Sequence, residues 1–163
     1  MKNPTEWSFA FFDLGAKQAA RRVRLHRSLR DVGAAIHSQS VYCMPYSLYS
    51  FRQLKKLDKD MFVVRASVDE ENIDELVQAY DSFISHLMVA ISKKIDELED
   101  AKAASVDMVS KRGYTKRFNK MGERLERLDH VAYLRQDPQC TGKVEEFKRR
   151  VAQIDTYEMG KLI

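Results

Sequence analysis

The chain has 163 residues, 44% of them hydrophobic and 32% charged, which suits a globular protein able to bury a core without disulfides or metals. Net charge is +4 but uneven: residues 1–69 carry 12 Lys and Arg against 6 Asp and Glu, residues 70–104 carry 3 against 9, and residues 105–163 carry 13 against 9. Apolar runs such as residues 9–12 are too short to span a bilayer, and Asp13 interrupts the N-terminal apolar stretch before it reaches signal-peptide length, so a cytoplasmic protein without a membrane segment is expected.

Residues 7–14 are aromatic and apolar, bounded by Pro4 and Gly15, and read as a short strand buried on both faces. Residues 16–32 switch to helical spacing through Val23, Leu25, Leu29 and Val32, and Gly33 stands where a helix C-terminal glycine belongs. Residues 34–46 are long enough for two short strands with a turn or bulge near residues 38–40, and Pro45 limits that stretch to an edge or an end. Ser47 is placed to cap a helix reaching Leu57, and residues 61–68 form the last strand. The order β, α, β, β, α, β with short connections predicts an α+β fold, a ferredoxin-like βαββαβ sandwich with four antiparallel strands and both helices on one face.

After Asp69 the pattern changes. Ile73, Leu76, Val77, Tyr80, Phe83, Ile84, Leu87, Met88, Ile91, Ile95 and Leu98 recur at spacings of three and four and mark one long helix. A second helix is expected after Gly113, with Tyr114, Phe118, Met121, Leu125, Leu128 and Val131 as its stripe. A third follows the break at Asp137-Pro138, through Val144, Phe147, Val151 and Ile154. The expected division is therefore a sheet module over residues 1–69 and a C-terminal helical extension over residues 70–163. The three stripes must be buried on the sheet, on one another or on a second chain.

The chemistry-bearing residues are few. Arg21, Arg22, Arg24, Arg27 and Arg30, with Lys17 and His26, crowd positive charge onto the first helix, where guanidinium groups can contact phosphate in a salt-dependent, sequence-independent way. The alternative is a solvated helix face, or one paired with the acidic stretch of residues 70–100. Lys111, Arg112, Lys116, Arg117 and Lys120 form a second basic cluster. Its aromatics, Tyr114 and Phe118, fit the core stripe better than a base-stacking role. Asp13 is the one candidate for metal chemistry: in a homodimer two such strand-end carboxylates could share Mg²⁺, although Asp is also common where a strand meets a glycine turn. Tyr42, Tyr46, Tyr49 and Phe51 read as core or dimer contact. The four histidines lack ligand spacing, Cys43 and Cys140 read as ordinary thiols in a reducing compartment, and no Gly-x-Ser-x-Gly elbow or glycine-rich phosphate loop occurs.

Residues 16–46 carry a family likeness. Lys17, Arg22-Val23-Arg24-Leu25, Val32-Gly33-Ala34 and Ser40-Val41-Tyr42-Cys43-Met44-Pro45 fall in one register. They resemble the N-terminal domain family of the chromate-resistance regulator ChrB, in which a Lys-containing turn, a basic helix closing on Leu-Gly-Ala and a Ser-Val-Tyr-x-Leu-Pro strand recur. The later Arg124-Leu125-Glu126-Arg127-Leu128-Asp129 is similar in kind. The resemblance implies a regulatory role in metal-oxyanion resistance, while the sensing half of such a regulator has no visible counterpart here. A weaker similarity links Phe11-Phe12-Asp13 and the basic helix to the small ferredoxin-like nuclease subunit of CRISPR adaptation and its toxin relatives. The long helical tail, and Cys43 where an acidic residue would follow Tyr42, depart from that pattern.

The leading expectation is a non-enzymatic regulatory or nucleic-acid-associated homodimer, contacting DNA or RNA through Arg22, Arg24, Arg27, Lys116 and Arg117 and needing no cofactor. A Mg²⁺-dependent nuclease using Asp13 and a structural protein-interaction module are the alternatives.

Overall fold

The computed structural model describes residues 2–103 and 111–161, the side chains of 111–114 and 155–161 excepted. Its elements are β1 (Glu6–Phe11), a 3₁₀ turn (Ala16–Gln18), α1 (Ala19–Asp31), β2 (Ala35–Ser38), β3 (Val41–Pro45), α2 (Leu48–Leu57), β4 (Phe62–Ser67), α3 (Glu70–Ala103), α4 (Lys111–Arg135) and α5 (Pro138–Lys161). The protein is α+β, with one four-stranded antiparallel sheet in the order β2-β3-β1-β4. The chain divides into two compact units, Met1–Ile84 and Ser85–Ile163, and α3 runs through the division.

In the first unit the sheet is built on β1, which pairs with β3 on one side and β4 on the other. Cross-strand partners share a face. One face therefore carries Ser8, Ala10, Tyr42 and Met44, and the opposite face carries Trp7, Phe9, Phe11, Cys43, Val64 and Phe62. Helix α1 meets the first face where His26 contacts Tyr42, and α2 where Phe51 lies 5.8 Å from the Tyr46 ring. The opposite face receives the start of α3: Tyr80 meets Trp7 edge-on at 5.9 Å, and both are fully buried.

The local signals act as their chemistry dictates. Ser47 accepts a hydrogen bond from the Ser50 backbone at 3.1 Å and starts α2. Gly33 has φ 94°, a conformation open to glycine, and closes α1 with Gly33 N–H donating to the Arg30 carbonyl and Ala34 N–H to the Leu29 carbonyl. The polar residues between β2 and β3 form a turn preceded by a bulge between Ile36 and Ser38. Pro45 is the last residue of β3, the strand end where a residue without an N–H is tolerated.

Three expectations change. The first strand ends at Phe11 rather than Leu14, and it is not buried on both faces along its length, since Phe11 is exposed and stacks at 5.7 Å on an exposed Phe62. Val23, read as an apolar helix position, is exposed because α1 turns only Leu25 and Leu29 inward. Helix α4 already includes Gly113, after which it was expected to start.

In the second unit the rest of α3 packs with α4 and α5. Ile91, Ile95 and Leu98, then Met121, Leu125, Leu128 and Val131, then Val144, Phe147, Val151 and Ile154 are all buried, so most of the three stripes is covered within a single chain, while Leu87, Met88 and Phe118 are half-buried. Arg150 reinforces the α3–α5 contact with bonds to Glu99 at 2.7 Å and Asp96 at 2.6 Å, and Lys102 donates to the Gln153 and Ile154 carbonyls. Asp137 accepts from the Gln139 backbone and caps α5, with Pro138 in the first helical position. No helix of the described residues is long and apolar enough to cross a membrane.

Tyr80→Phe removes a buried hydroxyl that donates to the Gly33 carbonyl at 3.0 Å, leaving that acceptor unpaired. The expected loss is about 1–2 kcal/mol by urea unfolding, against about 3–5 kcal/mol for Tyr80→Ala. Cys43 is buried and its thiol is pushed up to about 12, whereas Cys140 is half-buried. At pH 8 an alkylating reagent is therefore expected to label Cys140 first and Cys43 only on unfolding, as peptide mass mapping would show.

Candidate nucleic-acid interface

The arginines of α1 divide by what they touch. Arg21 faces the loop after α2, where it grips the carboxylate of Asp58 with two donors at 3.1 and 2.5 Å and reaches Asp60 at 2.7 Å. This guanidinium bond, joined by the Asp60 backbone N–H, holds the Asp58 carboxyl below its ordinary range. Arg22 donates to the Leu14 carbonyl and so ties the helix to the exit of β1. Arg30 lies over the Phe83 ring, 5.8 Å from its centre. His26 Nδ1 is 2.5 Å from the Tyr42 hydroxyl, whose ring stacks on Phe12 and whose ionisation is pushed up by burial.

Arg24 and Arg27 behave differently. Both are exposed, and neither has a hydrogen bond or a carboxylate partner among the described residues. They stand three residues apart, on one outer face of α1 about 4.5 Å apart along the axis. Arg21 takes its carboxylates from Asp58 and Asp60, outside the acidic stretch, while Glu75 binds His37 at 2.9 Å and Asp96 and Glu99 bind Arg150.

The second basic cluster, on α4, becomes part of a cleft. Lys94, Glu97 and Leu98 of α3 and Arg117, Lys120, Met121 and Arg124 of α4 line a hollow of about 310 Å³. Lys94 and Glu97 pair at 2.6 Å, and Lys94, with Lys93 and Arg117 nearby, lowers the Glu97 carboxyl below its usual value. Leu98 and Met121 are buried at the base. Lys116 is exposed on the same helix but does not line the hollow. The side chains of Lys111, Arg112 and Tyr114 lie outside the described residues, and Phe118 is half-buried.

No family model, no characterised protein and no solved structure matches the chain.

Asp13 is exposed just beyond β1, and the described residues contain no group of three or more His, Cys, Asp or Glu able to hold a metal ion. The structure thus brings Arg117 and Lys120 into the lining of one hollow, leaves Lys116 outside that lining, and places Arg22, Arg24 and Arg27 on another element. Sequence reasoning missed Lys94, Glu97 and Arg124 as neighbours of Arg117. The spacing of 117, 120 and 124 was a readable signal for one helix face, but the register of α3 against α4 was not.

A pH dependence follows from Asp58. A carboxyl whose folded pKa is lowered adds stability above its unfolded value, and that stability is lost as pH falls through the folded value. Asp58→Asn is therefore expected to lower Tm near neutrality and to narrow the wild-type gap as pH falls below about 4. A constant gap across pH 2–7 in thermal melts would contradict this account of the pair.

Proposed function

We propose that this chain is a non-enzymatic regulatory protein that associates with DNA or RNA through phosphate contacts and acts as a homodimer. The sheet module is read as ferredoxin-like. The succession β, α, β, β, α, β, the strand neighbours β2-β3-β1-β4 and the placement of α1 and α2 against one sheet face support that reading. The likeness of residues 16–46 to the ChrB N-terminal domain family adds the regulatory role and a link to metal or oxyanion stress.

One observation carries the nucleic-acid reading. Within a single helix, Arg21 is neutralised by two carboxylates, while Arg24 and Arg27 project outward with none among the described residues. Unneutralised guanidinium groups on an exposed face suit the phosphate backbone, where each contact releases a counterion and makes affinity depend on salt. Arg22, whose guanidinium meets the Leu14 carbonyl, and Lys116 and Arg117 on α4 supply further cations.

The test is binding of purified protein to labelled duplex DNA and single-stranded RNA across a salt series. Wild type is expected to bind more weakly as salt rises, and Arg24→Ala/Arg27→Ala to reduce the logarithmic slope by about two contacts' worth, close to 1.8 on duplex DNA. An unchanged affinity and slope in the double variant would sink the reading. Sedimentation of the same samples tests the homodimer.

A further inference from the structure

We infer that the α3–α4 cleft is a binding site for a compact, multiply charged phosphate ligand of the pyrophosphate or nucleoside diphosphate class. It stands on its own geometry and shares only Arg117 with the proposed nucleic-acid contacts.

The first argument is contrast within one unit. Three cations of α5 pair with carboxylates: Lys143 with Glu146 at 2.9 Å, Lys148 with Asp129 at 3.0 Å and Arg150 with Glu99 at 2.7 Å. At the cleft, Arg117, Lys120 and Arg124 recur at spacings of three and four, so like charges occupy neighbouring positions on one helix face. That arrangement is unfavourable for a helix alone. Lys120 and Arg124 have no carboxylate partner among the described residues, and Lys94 adds a fourth cation from the facing helix. The sole carboxylate in the lining is Glu97, already paired with Lys94.

The second argument is shape. Cations from two helices border one hollow of about 310 Å³, a size at the lower end for small-ligand pockets. Two linked phosphates put their charge into such a volume, whereas a polymer backbone is better served by cations spread along an open face. The apolar base of Leu98 and Met121 offers no competing acceptor and strengthens the field above it. Arg117 and Arg124 can each present a two-donor fork to phosphate oxygens, and Lys94 and Lys120 can act as point charges.

Glu97 then has a defined part. Its carboxylate occupies Lys94 and repels an incoming anion, so it opposes phosphate binding at the cleft. Removing that charge should improve binding, an outcome that misfolding cannot mimic.

The test is isothermal titration calorimetry at low salt with inorganic pyrophosphate and with ADP as probes, using the full chain. Wild type is expected to bind pyrophosphate. Lys120→Glu and Arg124→Glu are expected to weaken it by about tenfold or more, and Glu97→Gln to tighten it by several-fold. Lys143→Ala, which removes a paired cation on α5, is expected to leave it unchanged. A silent wild-type titration with both probes, equal pyrophosphate affinity in Lys120→Glu, or weaker binding in Glu97→Gln would each overturn the inference. So would loss of RNA or DNA binding in Lys120→Glu without any pyrophosphate affinity, which would give the cleft to the polymer. Failure of the nucleic-acid reading is seen separately, in Arg24→Ala/Arg27→Ala on labelled DNA and RNA.

Discussion

The sheet unit depends on how the end of α1 is closed and held. Gly33, at φ 94°, lets the chain reverse from helix into β2, and its carbonyl accepts the hydroxyl of Tyr80 from α3. Tyr80 is fully buried, its ionisation is raised well above the ordinary value by that burial, and its ring abuts Trp7 on the central strand. One side chain thus joins the helix stop, the central strand and the start of the long helix. Leaving a fully buried hydroxyl unpaired costs free energy, so the Tyr80 bond makes the packing specific as well as apolar. The β2–β3 hairpin and the α1 surface inherit their positions from that junction.

Electrostatics divides the molecule's cations into two populations. Arg21 and Arg150 each hold two carboxylates, drawn from distant parts of the sequence, and serve the fold by clamping α1 to the loop after α2 and α5 to α3. Arg24, Arg27, Lys120 and Arg124 have no such partner among the described residues. In water a single unpaired surface cation means little, and exposed ion pairs contribute little stability when they do form. Concentration is what separates these positions from ordinary surface charge: two on an outer face of one helix, and a group of four around one glutamate in the cleft. The proposed roles rest on that concentration, and so does their expected sensitivity to ionic strength.

The elements were largely legible in the sequence because short-range chemistry specifies them. Ser47 before an apolar repeat, Gly33 after one and Asp137-Pro138 at a break act through their own backbone geometry, and all three fall at helix ends. Strand limits were less legible, since β1 stops at Phe11 where pairing with Val41 and Phe62 runs out, not where apolar residues end. Of the candidate site, Arg24 and Arg27 were visible as charge on a helix. Their difference from Arg21 was not, because it is set by Asp58 and Asp60, 37 and 39 residues away from Arg21 in sequence.

By itself, then, the sequence determined an α+β chain with four strands, a basic first helix and three amphipathic helices, since periodicity and capping are local properties of neighbouring residues. Only the tertiary structure decided which cations are neutralised and which converge. The α3–α4 cleft exists because two helices meet in a register that brings Lys94 and Glu97 to Arg117, Lys120 and Arg124. That register is set by the packing of buried side chains such as Ile95, Leu98 and Met121, a many-body fit that one-dimensional spacing does not encode.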